Sequence, residues 1–317
     1  MPLLDEDMVR FEPLLAESII IGDVFLDQVT THLLAAGGKR LRPLLAIASA
    51  TGGEREGSQD DLLGGVSLEL MHLASLYHDD VMDEATMRRN TESVNSRFGN
   101  LVAIVAGDFL MARSAAIAAD LGTEVAGLLA RTLALLTRGQ VSEVRTAFDV
   151  NRTVEDYYEA IGGKTAALMA SACRVGALTS ATTEAERDAL TAYGHALGLV
   201  FQVRDDILDI TAVDGQLGKP AGQDLAEGIY TYPVLVALND PTAGEKLTEL
   251  LGSPLDDDAR EAARQLVVGT DAIPATLEVA RKHVDEAAVA AAELRSEALR
   301  TGFTRLAADL LDGLPEF

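Results

Sequence analysis

Two D-D-x-x-D motifs constrain this chain more than any other feature. They are Asp79-Asp80-Val81-Met82-Asp83 and Asp205-Asp206-Ile207-Leu208-Asp209, each inside a long, apolar, alanine-rich stretch. On a helix each residue advances about 100°, so positions i, i+1 and i+4 fall within an arc of roughly 100° and leave one side together. Carboxylates packed that densely repel one another unless a cation lies between them. Their oxygens are hard ligands suited to Mg²⁺, which is usually held by one or two carboxylates plus substrate phosphates. Apolar turns precede both motifs, Leu73 and Leu76 in one case, Phe201 and Val203 in the other. Burying unpaired carboxylates is costly. The pair therefore predicts two partly buried helices whose acidic faces line a cavity and clamp a metal-bound phosphate ester.

The rest of the chain fits an all-α fold. Apolar residues recur at helical spacing over about 7–35, 42–52, 60–83, 94–120, 122–147, 153–178, 183–213, 230–239, 243–251, 257–268 and 275–312. Aromatic residues make up only 4% of the chain and Trp is absent, which disfavours strands. Gly52-Gly53 and Asp214-Gly215 read as helix ends, and Thr182-Thr183, Pro233 and Pro274 as helix starts. No long Gly/Pro/Ser-rich linker interrupts the pattern, so 1–317 reads as a single domain.

The net charge of −24 argues against nucleic acid as a partner, because a phosphate backbone needs a basic footprint. The lone Cys173, among small residues, reads as core. The acidic start lacks a basic n-region and does not resemble a secretory signal. The most apolar run, Leu101 to Ala119, contains Asp108 and Arg113 and reads as a buried helix, with no transmembrane segment expected. A cytoplasmic protein is expected.

In so acidic a chain, clustered cations are informative. Gly37-Gly38-Lys39-Arg40-Leu41-Arg42-Pro43 places three of them behind two glycines. Glycines let backbone N–H groups approach an oxyanion, and Arg forks match phosphate oxygens. A helix C-cap with cations at the negative dipole end is the alternative. Arg88-Arg89 follow the first acidic motif, either as surface counter-charge or reaching over a bound diphosphate.

With these motifs in place, the chain resembles the trans-isoprenyl diphosphate synthases of the polyprenyl synthetase family, long-chain type, from about residue 15 to residue 240. G-G-K-R-L-R-P stands at 37–43, and H-D-D-x-x-D with its R-R runs from His78 to Asp83 and on to Arg88-Arg89. G-K-T-A stands at Gly163-Lys164-Thr165-Ala166, F-Q-x-x-D-D-x-x-D from Phe201-Gln202 to Asp209, and G-K-P-x-G-x-D-L from Gly218-Lys219 to Leu225. The resemblance implies the isoprenoid synthase helical bundle around a central cavity, and a homodimer. It implies that Asp79, Asp80, Asp83, Asp205, Asp206 and Asp209 hold Mg²⁺ on an allylic diphosphate, with Arg88, Lys164 and Lys219 adding cationic contacts. Gly38, Lys39, Arg42, His72 and Arg89 would hold isopentenyl diphosphate, while Thr165 and Gln202 face the allylic carbocation.

Two departures from the family pattern stand out. Where E-G-K-x-T-x-P is common, this chain reads Glu227-Gly228-Ile229-Tyr230-Thr231-Tyr232-Pro233, which removes one cation and leaves Lys219. After Arg89 the usual Gly is Asn90, a residue that tolerates left-handed backbone.

Product length is read from the residues before Asp79. Ala74 and Ser75 are small where short-chain members carry an aromatic floor, and Met71 follows one turn further down. One isoprene unit spans about one helical turn, ~5.4 Å. This predicts an open shaft and a product of heptaprenyl length or longer; close helix packing at Ala74 and Ser75 is the alternative. Geranylgeranyl or farnesyl diphosphate synthesis, or a non-catalytic subunit of a heteromeric synthase, are the competing functions. A terpene cyclase would not need the second D-D-x-x-D or the 37–43 turn.

Overall fold

A computed structural model describes residues 1–212 and 221–314. In chain order the helices are α1 (Pro2–Glu17), α2 (Val24–Ala35), α3 (Leu41–Thr51) and α4 (Gln59–Met82), then α5 (Val94–Phe98), α6 (Asn100–Asp120) and α7 (Thr123–Arg145). They continue with α8 (Val154–Ile161), a π-helical turn (Gly162–Ala166), α9 (Ala167–Thr179), α10 (Glu184–Thr211), α11 (Gln223–Ala226), α12 (Tyr232–Leu238), α13 (Gly244–Leu250), α14 (Asp257–Val268), α15 (Ala272–Ala292) and α16 (Glu297–Asp309). Among the described residues the only sheet is an antiparallel hairpin, β1 (Met87–Arg88) with β2 (Thr91–Glu92). The all-α expectation holds.

Three expected helices are broken, each for a local reason. The stretch 7–35 stops before Asp23, whose side chain caps α2 by accepting from the Phe25 and Leu26 N–H groups. Gly22 just before it has φ +86°. The stretch 94–120 divides at Gly99, which sits at φ +89°, ψ +153°, outside helical space. The stretch 275–312 divides before α16, where Ser296 Oγ donates to Gly52 O (2.6 Å) and accepts from Leu299 N (3.1 Å). The hairpin was not anticipated. Its turn residues Arg89 and Asn90 have φ of +52° and +59°, the two left-handed positions of a type I′ connection, so Asn90 does preserve the turn. The expected helix end at Asp214-Gly215 lies outside the described residues.

The chain divides into two compact units. The first comprises Met1–Leu133, Leu168–Gly194 and Glu293–Gly302. Its central element is α4, which packs against α3 and α6 and buries Val66, Leu68, Leu70, Leu73 and Tyr77. A capping box starts this helix: Ser58 Oγ accepts from Asp61 N, and Asp61 Oδ2 accepts from Ser58 N (2.8 Å). Asp61 is fully buried and also takes Arg55 Nη1 (2.7 Å) and Thr179 Oγ1 (2.9 Å). Burial acts to raise its carboxyl, but these donors outweigh burial and hold it below the usual range.

The second unit comprises Ala134–Ala167, His195–Ala292 and Phe303–Phe317. Tyr157, Ile161, Val203, Ile207, Tyr230 and Val234 lie in its apolar core. This core sets α8 beside the half of α10 that carries the second acidic motif.

Because Asp61 serves four donors and Ser58 mainly one cap, Asp61→Ala costs more stability than Ser58→Ala. About 3 kcal/mol is expected for the buried, ion-paired carboxylate and about 1 kcal/mol for the cap. Thermal melting of the two variants checks the order; equal losses would remove Asp61 as the anchor of α4.

Candidate active site

Both acidic trios sit where a helix least tolerates them. Asp79 and Asp80 are in the last turn of α4 and Asp83 is its C-cap, while Asp205, Asp206 and Asp209 occupy the final turns of α10. The carboxyl end of a helix carries partial negative charge, so acidic residues there are unfavourable until a cation compensates. This placement favours a metal site over a solvated acidic face.

In the first unit the three carboxylates are not equivalent. Asp80 is fully buried: Oδ1 takes Arg88 Nε (2.7 Å) and Nη2 (2.6 Å), and Oδ2 is buried without a hydrogen-bond partner. Burial raises its pKa and Arg88 opposes the rise. Asp79 is half-buried and Asp83 exposed. The hairpin is stitched to the end of α4 by Asn95, whose Nδ2 donates to Asp80 O and Ala85 O, both at 3.0 Å. That stitch fixes where Arg88 and Arg89 point.

Arg89 goes elsewhere. Its Nη1 donates to Gly37 O, and its guanidinium lies flat on Gly38, where an added Cβ would stand 2.9 Å from Nη1. Glycine is favoured at position 38 by its φ of +154°, and the end of the arginine lies over it. Arg42 and His72 share the surroundings. Burial lowers Arg42 to about 10, Arg89 adds to the shift, and Glu69 opposes it. The imidazole of His72 is held well below its usual value by burial first, then by Arg42, Arg89, Arg88 and Arg40. It is thus neutral near pH 7 and available as a hydrogen-bond donor. Arg42 Nε is buried without a partner.

The first unit therefore brings Gly38, Arg42, His72 and Arg89 together in a cationic cluster. Lys39, next to it, is exposed. Arg40 is different in kind: it is buried at φ +49° and bound to Glu12 Oε1 (2.8 Å) and Glu69 Oε1 (2.9 Å). It anchors the turn. Glu69, its counter-ion, was missed; a buried acid one turn before His72 was the available signal.

In the second unit, α8 runs into the π turn that carries Gly163-Lys164-Thr165-Ala166. Such single turns shift the helical register and often mark functional sites. Here glycine permits it. A Cβ on Gly139 of α7 would lie 2.7 Å from Lys164 N, and one on Gly163 would lie 2.6 Å from Leu135 O. The two backbones touch, and Lys164 Nζ reaches Glu143 Oε1 at 2.5 Å. Thr165 Oγ1 donates to Gln202 Oε1 (2.8 Å), and Gln202 Nε2 donates to Asp206 Oδ1 (3.0 Å). Tyr157 OH donates to Asp206 Oδ2 (2.6 Å). Thr165, its hydroxyl proton committed to Gln202, presents lone pairs on its other side.

Asp206 thus has both oxygens engaged, Asp205 is half-exposed, and Asp209 is buried with Oδ2 accepting from Asp224 N (3.3 Å). Tyr157 and Glu143 were not anticipated; Tyr157 is buried on the apolar face of α8, and Glu143 is half-buried on α7. Lys219 lies outside the described residues.

Of the proposed shaft residues, Ala74 and Met71 are buried and Ser75 is half-buried, its Oγ donating to His72 O (2.8 Å). His78 faces α6, where it contacts Gly107 and meets Ile104 O (3.2 Å). Helix α6 is long and apolar enough to cross a membrane by length and composition alone, a test that core helices also pass; 39% of its most apolar stretch is buried.

Among the described residues, no three His, Cys, Asp or Glu side chains converge into a ready metal cage. Mg²⁺ does not require one, since it keeps waters and substrate phosphates among its ligands. The orphaned Oδ2 of Asp80 and the all-oxygen donor set of both trios fit such an ion.

A helical fold with aspartate trios in the last turns of two helices, and a cluster of arginines around a neutral imidazole, matches the class of isoprenyl diphosphate synthases. The chain belongs to the polyprenyl synthetase family, whose model matches residues 23–267. It is 39% identical over 258 residues to the nonaprenyl diphosphate synthase of Mycobacterium tuberculosis, covering 80% of this chain and 77% of that protein. It is 35% identical to the heptaprenyl diphosphate synthase component 2 of Geobacillus stearothermophilus, covering 90% of this chain and 88% of that one. Among solved structures, the polyprenyl synthase of Caulobacter crescentus complexed with calcium and isoprenyl diphosphate superposes with a TM-score of 0.91 at 31% identity, covering 99% of this chain and 97% of that one.

Burial pushes the Asp206 carboxyl up to about 8 despite Tyr157 and Gln202, which lower it. A carboxyl is ordinarily at about 4 when unfolded. Between those values the folded, metal-free chain holds a proton that the unfolded chain has lost, so stability falls as pH rises from about 4 to about 8. Asp206→Asn flattens that part of the curve. Thermal melts across the range in chelator check it; an identical slope in wild type and variant would refute the assignment.

Proposed function

We propose that this chain condenses isopentenyl diphosphate head-to-tail onto an allylic diphosphate and releases a long all-trans polyprenyl diphosphate, heptaprenyl or longer. One observation carries the reading: metal-demanding aspartate trios at helix carboxyl ends coexist with an arginine-rich pocket around a neutral His72. Two diphosphates need two such anion sites. The names of the relatives support the long product.

Asp79, Asp80 and Asp83, with Asp205, Asp206 and Asp209, would hold divalent ions, which supply charge neutralisation to a departing diphosphate. In this reading Asp79, Asp83 and Asp205, exposed or half-buried, contact the ions directly, and Asp80 contributes its Oδ2, which has no hydrogen-bond partner. Asp206 holds Gln202 in position. Arg88 and Lys164, which pair with Asp80 and Glu143, and Lys219 bind the allylic diphosphate in this reading. Gly38, Lys39, Arg42, His72 and Arg89 bind isopentenyl diphosphate. The hydroxyl oxygen of Thr165 and the amide oxygen of Gln202 stabilise the allylic cation that ionisation leaves. The double bond of isopentenyl diphosphate attacks it, and the released diphosphate accepts the proton that is lost. Magnesium is the proposed ion; the Caulobacter protein was complexed with calcium.

The chain is proposed to act in the cytoplasm as a homodimer. Leu101 (76% exposed), Ile104 and Val105 form an apolar strip on α6 that association would cover. The name of the Geobacillus relative favours a second reading, in which a different polypeptide completes the enzyme. Size-exclusion chromatography with light scattering, run beside an assay of the chain alone, separates the two.

Incubation with isopentenyl diphosphate, each allylic primer and Mg²⁺, followed by chromatography of the dephosphorylated products, tests the activity. Geranylgeranyl or farnesyl products would replace the long-chain reading. Asp79→Asn and Asp205→Asn each lower kcat by about 10² or more, and unchanged turnover would sink the metal assignment. Ser75→Phe shortens the product by at least one isoprene unit; an unaltered product length would place the tail along another route.

A further inference from the structure

Arg152 is the least explained charge in the second unit. It is 6% exposed, its Nη1 donates to Tyr230 O (3.0 Å), and its Nε is buried without a hydrogen-bond partner. A buried guanidinium is costly unless its charge is balanced. Its strongest acidic neighbours are Glu143 and Asp206, followed by Tyr157 and Asp156. Yet Glu143 is already bonded to Lys164 (2.5 Å), and both oxygens of Asp206 are bonded to Tyr157 and Gln202. The positive charge of Arg152 is therefore set beside the second aspartate trio without being consumed there.

Its backbone surroundings are equally specific. The strand of chain leading to Arg152 is tied to the turn after α11 at two points: Phe148 N donates to Gly228 O (2.9 Å), and Arg152 itself donates to Tyr230 O. Between those two carbonyls lies Ile229, where this sequence lacks the lysine of E-G-K-x-T-x-P.

We propose that Arg152 supplies, from the adjoining segment, the positive charge missing at position 229, and that it is a positioning residue favouring the allylic diphosphate at the second trio. The inference rests on the prenyl-transfer reading above. Arg152 does not contact substrate. It fixes the Glu227–Pro233 turn and adds a charge that acts through a poorly screened interior.

Four proteins test this: wild type, Arg152→Gln, Arg152→Lys and Arg152→Gln/Ile229→Lys. Gln loses the charge and Lys keeps it. Wild-type elongation in the same assay tests the prenyl-transfer reading independently. Arg152→Gln is expected to raise KM for the allylic diphosphate about tenfold, with KM for isopentenyl diphosphate unchanged. It should weaken binding of inorganic pyrophosphate with Mg²⁺ by a similar factor in calorimetry. Arg152→Lys, and a lysine at 229 in the double variant, restore most of both. The proposal is overturned if Arg152→Gln leaves both constants at wild-type values, if Arg152→Lys fails as Gln does, or if Ile229→Lys gives no rescue.

Discussion

Negative charge at the carboxyl end of a helix is the constraint on which the rest of this molecule depends. Each D-D-x-x-D closes a long helix where the backbone dipole already disfavours anions, and burial of Asp80 and Asp206 adds a desolvation cost. The chain offsets these costs differently in its two units. In the first, a hairpin brings Arg88 onto Asp80. In the second, neutral donors, Tyr157 and Gln202, occupy Asp206. The less buried Asp79, Asp83 and Asp205 are the carboxylates a divalent cation would reach most readily.

The opposite problem appears a short distance along the same unit. Arg89 depresses Arg42, and Arg40 and Arg88 depress Arg89, with Glu69 as the shared counter-charge and one of its oxygens already given to Arg40. An anion entering there relieves repulsion that the fold has already built in, so part of the binding free energy is stored as crowding of like charges. Burial first, and then the same crowding of cations, keeps His72 neutral.

Much of this was legible in the sequence because it rests on local chemistry. Helical periodicity gave the long elements, the D-D-x-x-D spacing located the acidic helix ends, and Gly37-Gly38 with Asn90 announced backbone that only a few residues adopt. Other features depend on contacts between residues far apart in sequence. Nothing in the chain order says that Asn95 will stitch the hairpin to α4, or that Gly139 and Gly163 will let two backbones touch so that the helix slips into a π turn. The broken helices were misread because Asp23, Gly99 and Ser296 interrupt otherwise apolar periodic stretches with a single residue each. Arg40 shows the limit of reading cations as a group: of three in one turn, one is structural, and only its pairing with Glu12 and Glu69 reveals it.

The hairpin also carries a consequence for the relative placement of the two reactants. Arg88 turns to Asp80 and Arg89 to Gly37 and Gly38, so consecutive residues serve what are proposed to be different substrates. Their α-carbons are held about 3.8 Å apart by one trans peptide unit. On that assignment, one cation of each recognition site is tied to one of the other by a covalent ruler. A shift of the hairpin then moves both contacts together.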